Sequence, residues 1–326
     1  MLIVPGYSEI ETRQTIDTSV EFLGRDLEVP IISANMDYVT GSKMAIAMHN
    51  AGGMGILHRF GTNEDLFSDM VTMNGRGIPF YISVGTRDID ESISKIRTAA
   101  YNMPWFSGVC IDIAHGHHRK VASLIKRIRA EVSTHIIAGN VATFEGAKFV
   151  ADAGADAIKV GIGAGAVCTT RIVAGVGVPQ LTAILDAADA DTGLPIIADG
   201  GIRGSADISK ALIAGATVVM IGSVLAGATE CPSPTVSGAD GLKWRPYRGQ
   251  SIFGSNVEHY VPEGIEGFVP DKGPVSDIIR TLQAGLKSSM SYVGANTINE
   301  LQLKGKFTLV SSHTGVENST RVRTSI

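Results

Sequence analysis

The strongest constraint on this sequence is an alternation of short apolar runs with amphipathic segments, repeated eight times along the chain. Each run is too short for a helix and too continuously apolar for a strand with one face in water. Such runs are typical of parallel strands that are covered on both faces. They occupy residues 29–35, 53–58, 80–85, 108–116, 135–140, 157–163, 195–201 and 217–223.

Helical patterns lie between the runs, and several begin at a Ser, Thr or Asp that can cap a helix; examples are 90–100, 118–132, 143–155 and 205–216. Alternating strands and helices in this number predict an α/β fold, a (β/α)8 TIM barrel made by a single domain over 1–326. A doubly wound open sheet is the alternative, although such sheets more often have fewer strands.

Two stretches fall outside the alternation. Residues 225–275 show little periodicity and many Gly and Pro, so we expect an active-site loop segment after the eighth strand. A helical pattern over 275–294 follows it. Residues 306–326 are polar and weakly patterned, which predicts a surface tail.

Composition narrows the range of partners. The formal net charge is -4, the pI is near 6.1, and no long block of Lys or Arg occurs, so small molecules are expected as partners rather than nucleic acid or a membrane surface. The N-terminus has no signal-peptide pattern and no stretch reaches the roughly 18 apolar residues of a membrane span, which predicts a cytoplasmic protein. Cys110, Cys168 and Cys231 are far apart and follow no metal-binding spacing, which argues against disulfides and structural zinc.

Polar residues at the C-terminal ends of barrel strands face the active site. Asp112 and Asn140 could hydrogen-bond a ligand or simply cap the following helices, and both interpretations stay open. The histidines within 115–118 lack a converging Cys or carboxylate and are interpreted as a polar loop. The full set of candidates is Asn35, His58, Asp112, His115, Asn140, the loop after Gly163, Asp199 and Ser223.

Cys168 follows a glycine-rich stretch, GIGAGAVC, directly after the predicted sixth strand. Backbone N–H groups of such a loop and the nearby Arg171 can stabilise a thiolate, which is the nucleophilic form of cysteine. The alternative is a tight turn that needs its glycines for positive φ and contains a bystander cysteine. Cys110 lies inside an apolar run and is expected to be a buried packing residue.

Two further glycine-rich turns, ADGGIRGSADI and MIGSVLAG, follow the seventh and eighth strands. In barrels these two positions commonly form a phosphate site, where close backbone approach and helix N-termini suit a dianion. Asp199 is too negative to contact phosphate, so a sugar diol is its more natural partner. Glu263 and Glu266 lie in the long segment and provide either a general acid or base or only solvated charge.

The chain resembles the IMP dehydrogenase and GMP reductase family. The resemblance runs through IISANMD, GGMGILHRF, IDIAHGH, IAGNVAT, KVGIGAGAVCTTR, IADGGIRGSADI, VVMIGSVLAG, YRGQS, EGIEGFVPDKGPV and LKSSMSYVGA, and covers almost the whole chain. It implies a cysteine that attacks C2 of a purine nucleotide. It also implies a homotetramer and, in many members, a K⁺ held by carbonyls of the cysteine loop, here Gly163, Gly165 and Cys168.

The resemblance assigns roles by position. Cys168 would be the nucleophile, with Thr170 and Glu263 handling the leaving or attacking group at C2. Asp112, Asn140 and Arg59 would lie on the cofactor side, with Arg59 near the extra phosphate of NADPH. The residues implied for the nucleotide are Asp199 at the ribose, Gly200, Gly201, Gly222 and Ser223 at the 5'-phosphate, and Gly249, Gln250 and Ser251 at the base.

The dehydrogenase and the reductase of this family differ in whether water reacts with the covalent intermediate. The dehydrogenase hydrolyses its covalent intermediate with an Arg-Tyr pair on a mobile flap, but this chain has no Arg-Tyr dipeptide and only residues 257–262 between GSN and EGIEG. FYISVG also follows ILHRF too closely for the regulatory module that dehydrogenases usually carry, so no inserted module is expected. These features, with CTTR and IDIAHGH, predict a GMP reductase that converts GMP and NADPH to IMP, ammonia and NADP. An IMP dehydrogenase with a shortened flap is the alternative, supported by EGIEGFVPDKG, and a barrel that binds purine nucleotides without catalysis is the third possibility.

Four positions depart from the family pattern. Ala164 and Ala166 stand where proline and a phosphate-binding serine are common, Gln250 replaces a methionine at the base, and Tyr260 stands where many reductases have arginine. These departures leave the purine substituent and the choice between ribose and deoxyribose open.

Overall fold

The structure is a computed structural model that describes residues 1–239, 241–250 and 261–311. Its strands, in chain order, are β1 (Leu2–Ile3), β2 (Val20–Phe22), β3 (Arg25–Leu27), β4 (Ile31–Ser33), β5 (Met54–Leu57), β6 (Phe80–Val84), β7 (Phe106–Asp112), β8 (His135–Val141), β9 (Ala157–Val160), β10 (Ile196–Asp199), β11 (Val218–Ile221), β12 (Val236–Ser237), β13 (Lys243–Arg248), β14 (Glu266–Pro270) and β15 (Phe307–Thr308).

The helices surround these strands. They are α1 (Ser42–Asn50), α2 (Asn63–Gly75), α3 (Ile89–Asn102), α4 (Arg119–Glu131), α5 (Phe144–Asp152), α6 (Thr170–Val173), α7 (Gln180–Asp189), α8 (Ser205–Ile213), α9 (Val275–Val293) and α10 (Ile298–Lys304), with one 3₁₀ turn at Arg13–Thr15. Within the described residues, no helix combines the length and the apolar character needed to cross a membrane.

Strands β4 to β11 form a closed parallel barrel in which each strand pairs with the next one in the chain. The barrel closes where β11 pairs with β4, in the register Val219↔Ile31 and Ile221↔Ser33. Each of the eight predicted runs overlaps one of these strands, so the predicted TIM barrel is confirmed and the open sheet is excluded.

Two apolar layers hold the barrel. One fills its interior, where Tyr81, Ile56 and Ile137 are completely buried, and the hairpin β2–β3 adds Phe22 and Leu27 to this layer. The other lies between the strands and the helices. Each fully buried aliphatic side chain contributes about 1.5–3 kcal/mol relative to an exposed one, so this double burial explains why the strands are apolar on both faces.

Side-chain caps begin several helices at the predicted residue types. The Asp88 side chain accepts a hydrogen bond from the N–H of Glu91 at the start of α3, and Thr143 accepts one from Gly146 at the start of α5. Helix α8 begins differently, because Gly204 is its N-cap and has no side chain to accept. These caps fix where each strand-to-helix connection ends, and therefore where its polar residues lie at the barrel mouth.

The segment after β11 contains a small antiparallel sheet, β12–β13–β14, that the sequence patterns did not indicate. Strand β13 includes Pro246 and three basic residues, a composition that rarely predicts a strand. At the chain ends, β15 pairs with β1, so Phe307 and Thr308 of the expected surface tail belong to a strand pair. Residues 312–326 of that tail lie outside the described residues.

Candidate active site at the barrel mouth

A cavity of about 890 Å³ opens at the C-terminal end of the barrel strands. It is lined by every residue to which the family resemblance assigned a role except Ser251, which lies outside the described residues. Those lining residues are Cys168, Thr170, Glu263, Asp199, Gly200, Gly201, Gly222, Ser223, Gly249, Gln250, Arg59, Asp112, Asn140, Gly163 and Gly165. Residues from all sides of the barrel therefore meet at one opening, although their roles stay predictions.

Cys168 lies in the connection between β9 and α6, where its thiol donates a hydrogen bond to the Thr170 hydroxyl at 3.2 Å. The loop folds back on itself, because the Cys168 N–H donates to the carbonyl of Gly165 at 3.1 Å. Gly163 has a φ of +80°, a conformation that favours glycine, and a Cβ there would lie 2.9 Å from the Arg171 side chain. The glycines thus allow a turn that brings the sulfur and a hydroxyl together.

Glu263 is held next to the cysteine loop by backbone pairing. The Thr169 N–H donates to the carbonyl of Glu263 at 2.9 Å, and Cys168 forms an antiparallel bridge with Gly264. The Ile265 N–H extends this pairing to the carbonyl of Val167 at 3.0 Å. The nucleophile candidate and the carboxylate candidate, far apart in sequence, therefore belong to one short ladder at the cavity wall.

The glycines after β10 and β11 allow a close approach of backbone to the cavity. Gly200 and Gly201 have φ values of +94° and +78°. A Cβ on Gly200 would lie 3.3 Å from the backbone of Ala164, and one on Gly222 would lie 2.8 Å from the Tyr247 hydroxyl. Side chains at these positions would fill the space where the sequence predicts a phosphate.

The sequence analysis did not nominate Lys159 of β9. A lysine inside a continuously apolar run is unusual, and this position could have been recognised from the sequence. Only 2% of its surface is exposed. Its ammonium lies 2.7 Å from a carboxylate oxygen of Asp199 and 3.0 Å from one of Asp112, and it also donates to the side-chain oxygen of Asn140. The Asn140 amide in turn donates to Asp199 at 2.9 Å. One buried cation therefore joins three residues that the sequence assigned to two different ligands.

The charges in this cluster stabilise each other. Burial alone would lower the pKa of Lys159, but the carboxylates of Asp199 and Asp112 outweigh burial and raise that pKa. Burial alone would likewise raise the pKa of Asp112, but Lys159 and Arg59 outweigh it and lower that pKa. The lysine stays charged and Asp112 stays ionised at neutral pH.

Arg59 stands beside Asp112 rather than free in the cavity. Its Nε donates to the Asp112 carbonyl at 3.1 Å and lies 3.6 Å from the carboxylate, and its guanidinium lies over the ring of Phe60. Part of its charge is therefore already balanced within the protein.

Gln250 is tied to the connection after β4. Its amide NH₂ donates to a carboxylate oxygen of Asp37 at 2.8 Å, while Arg248 pairs with the other oxygen of the same carboxylate. The segment that the sequence assigned to the base is therefore anchored across the mouth. Tyr260, the other departure in this region, lies outside the described residues.

Some nominated residues do not reach the cavity. His58 and His115 do not line it; the His58 ring accepts a hydrogen bond from the Phe60 N–H, and burial lowers the His58 pKa. Cys110 is completely buried, as the sequence predicted, and burial raises its thiol pKa, so it stays protonated. No group of three His, Cys, Asp or Glu side chains arranged for a metal ion occurs in the described part of the chain.

The fold and cavity define a (β/α)8-barrel protein with a cysteine loop at its mouth. Residues 1–74 and 83–321 match the sequence profile described as "IMP dehydrogenase / GMP reductase domain". The chain belongs to this family, and the predicted family is confirmed.

Individual relatives carry the dehydrogenase name. The chain is 50% identical to "Inosine-5'-monophosphate dehydrogenase" of Aquifex aeolicus, over 66% of this chain and 47% of the relative. It is 41% identical to the protein of that name from Thermoplasma acidophilum, over 71% and 49%, and 35% identical to the one from Borreliella burgdorferi, over 97% and 92%. The chain therefore spans about half the length of the first two. These names do not support the predicted GMP reductase. They favour the alternative prediction, an IMP dehydrogenase.

Proposed function

We propose that this chain is a nicotinamide-dependent oxidoreductase that acts on C2 of a purine nucleotide, and that its reaction is the NAD-dependent oxidation of IMP to XMP. The observation that carries the chemistry is the contact of Cys168 with Thr170 beside the Glu263 backbone. The named relatives support the dehydrogenase direction.

The proposed reaction has two stages. The Cys168 thiolate adds to C2 of IMP, a C–S bond forms, and the C2 hydrogen leaves as hydride. NAD, when bound, accepts that hydride. Water then attacks C2 of the remaining thioimidate, a C–O bond forms, the C–S bond breaks, and XMP leaves. Thr170 and Glu263 take the proton from water, which gives XMP, NADH and H⁺ from IMP, NAD and water.

The cavity suits these ligands. Its volume of about 890 Å³ lies within the 300–1,000 Å³ range of small-molecule sites. Gly200, Gly201, Gly222 and Ser223 would bind the 5'-phosphate through backbone groups. Asp199, held in place by Lys159, would bind the ribose hydroxyls.

The other ligands belong to the same proposal. Gly249, Gln250 and Ser251 would meet the base, and Asp112 and Asn140 the nicotinamide end of the cofactor. Carbonyls of Gly163, Gly165 and Cys168 would hold K⁺, although the Gly165 carbonyl already accepts the Cys168 N–H. A homotetramer is proposed on the family resemblance alone, and a cytoplasmic location stays a prediction.

A GMP reductase is the second candidate, because one sequence observation favours it. The chain contains no Arg-Tyr dipeptide and only six residues, 257–262, where a flap would lie. Without that pair, activation of water falls to Thr170 and Glu263. In the reductase direction the same two residues would protonate ammonia as it leaves C2 of GMP, and NADPH would supply the hydride.

One pair of assays separates the candidates. We expect IMP to reduce NAD, measured by absorbance of NADH, and GMP to leave NADPH unoxidised and release no ammonia. The opposite pattern would establish the reductase. Tight binding of nucleotide with no turnover in either assay would contradict both and favour a non-catalytic barrel.

A further inference from the structure

We propose that the side-chain oxygen of Gln250 accepts a hydrogen bond from the N1–H group of the purine base, and that this contact selects 6-oxopurine nucleotides. The inference rests on the proposed function and deepens it, because it names the atom that would recognise the base. Methionine, which the family commonly has at this position, offers only a weak acceptor, so this contact is specific to the present chain.

The side-chain oxygen Oε1 of Gln250 is a buried acceptor. Within the described part of the chain it has no hydrogen-bond partner. Buried polar groups of proteins are nearly always hydrogen-bonded, and an unsatisfied one destabilises the folded state. Because Gln250 lines the cavity, a ligand with an N–H group can supply the missing donor.

Asp37 determines which end of the Gln250 amide is available to a ligand. The amide NH₂ donates to one carboxylate oxygen of Asp37 at 2.8 Å, and Nε of Arg248 donates to the other oxygen at 2.9 Å. A carboxylate paired with a guanidinium accepts hydrogen bonds and does not donate them, so turning the amide over would bring two oxygens together. The amide therefore presents a fixed acceptor rather than an end that adapts to the ligand.

Gln250 lies beside the loop of the proposed nucleophile. The N–H of Gly249 donates to the carbonyl of Ile265, and the N–H of Ile265 donates to the carbonyl of Val167, both at 3.0 Å. A Cβ on Gly249 would lie 3.0 Å from the same Val167 oxygen. Gln250 and Cys168 directly follow the residues of this contact, and both line the cavity. A purine bonded to the sulfur at C2 would therefore lie next to the Gln250 side chain.

The chemistry of the base identifies the donor. C2 of a purine lies between N1 and N3. In the 6-oxopurines IMP and GMP, N1 carries a hydrogen, whereas N3 is an acceptor on the ribose side of the ring. A fixed acceptor beside C2 therefore fits N1–H. It disfavours purines whose N1 has a lone pair, because two acceptors would then face each other.

The test is equilibrium titration of the chain without dinucleotide, so that no turnover occurs. The ligands are IMP, GMP and purine riboside 5'-monophosphate, which has the same sugar and phosphate but no N–H group on its base. We expect Gln250→Met to raise the Kd of IMP and of GMP about three- to tenfold, which corresponds to the loss of one neutral hydrogen bond. The Kd of purine riboside 5'-monophosphate should stay the same or fall, because that ligand has no donor to lose.

Two further variants support the comparison. Gln14→Met is the matched control, since Gln14 is exposed and does not line the cavity, and all three Kd values should stay within about twofold of wild type. Gln250→Asn keeps an amide but withdraws it by one methylene group, and it should show the same selective loss for IMP and GMP.

The pattern across the three ligands decides the outcome. A rise in Kd of equal size for all three would show that Gln250 only supports the cavity wall, and it would overturn the inference, as would unchanged Kd values. A rise confined to GMP would assign the contact to its 2-amino group and overturn the N1–H contact.

Turnover of IMP or GMP by the wild-type chain is measured separately. An active enzyme with unaffected Gln250 variants would refute this contact and leave the proposed function standing. A wild-type chain that neither binds nor converts a purine nucleotide would contradict both.

Discussion

The buried lysine at the mouth makes a quantitative prediction. Replacing Lys159 with Met removes the cation that contacts both Asp112 and Asp199 and leaves these two carboxylates without their shared partner. At an effective dielectric constant of about 20, each contact of this length supplies about 6 kcal/mol of attraction, and much of it offsets the desolvation of the ions. Removal of one partner from a buried ion pair costs about 3–5 kcal/mol, which is the loss of unfolding free energy that we expect.

The pKa of Asp112 also predicts how the stability difference between Lys159→Met and wild type changes with pH. In the wild-type chain the pKa of Asp112 is lowered, so its contribution to stability is present above its unfolded pKa of about 3.9 and is lost as the pH falls below that value. In Lys159→Met, Asp112 loses the cation in closest contact and keeps only the longer contact with Arg59 at 3.6 Å, so the pKa of Asp112 should rise. Protonation then relieves the repulsion, so the stability gap between variant and wild type should narrow from pH 7 to about pH 4.5.

Urea unfolding at several pH values measures this gap. Lys148→Met, which removes an exposed lysine from α5, is the control and should lie within about 0.5 kcal/mol of wild type. A loss below about 1 kcal/mol in Lys159→Met, or a gap that widens on acidification, would refute the electrostatic account of this cluster.

Two further substitutions test the turn and the hydroxyl at the mouth. Gly161→Ala places a Cβ 2.0 Å from the Asp199 carbonyl at a φ of +146°, so we expect a loss of about 3 kcal/mol in thermal or urea unfolding. Gly75→Ala, which has open space and an ordinary φ, should change stability by less than about 1 kcal/mol, and similar losses in both variants would contradict the steric argument. Thr170→Val should lower kcat about 10²-fold or more with little change in KM, because in the proposed mechanism the hydroxyl acts after binding. Thr169→Val, which does not alter a cavity-lining residue, should stay near wild type in the same steady-state assay, and equal kcat values in the two variants would remove Thr170 from the mechanism.

Local sequence patterns predicted the barrel because each of its strands is covered on both faces and is therefore continuously apolar. The run at 157–163 shows both the strength and the limit of this signal. Its apolar residues predicted β9, and its glycines predicted the turn before Cys168. The partners of Lys159 could not be read from it, since they come from β7, β8 and β10 and meet only when the barrel closes.

The small sheet after the barrel was missed for a different physical reason. Strand β13 is stabilised by pairing with β14 and by ion pairs such as Arg245 with Asp271 at 2.8 Å, rather than by an alternating apolar face.

Position at the end of a predicted strand was also an incomplete guide to which residues line the cavity. It nominated His58, whose ring instead accepts a backbone hydrogen bond beside the cavity.

The most direct test of the central claim is to trap the covalent nucleotide. The chain is mixed with IMP and NAD, quenched in acid during turnover, digested and analysed by mass spectrometry, with GMP and NADPH in a parallel reaction. We predict a purine nucleotide attached to the peptide that contains Cys168, no adduct on the buried Cys110 or Cys231, and none in Cys168→Ala. Turnover with no nucleotide on Cys168, or undiminished turnover by Cys168→Ala, would contradict covalent catalysis by this residue.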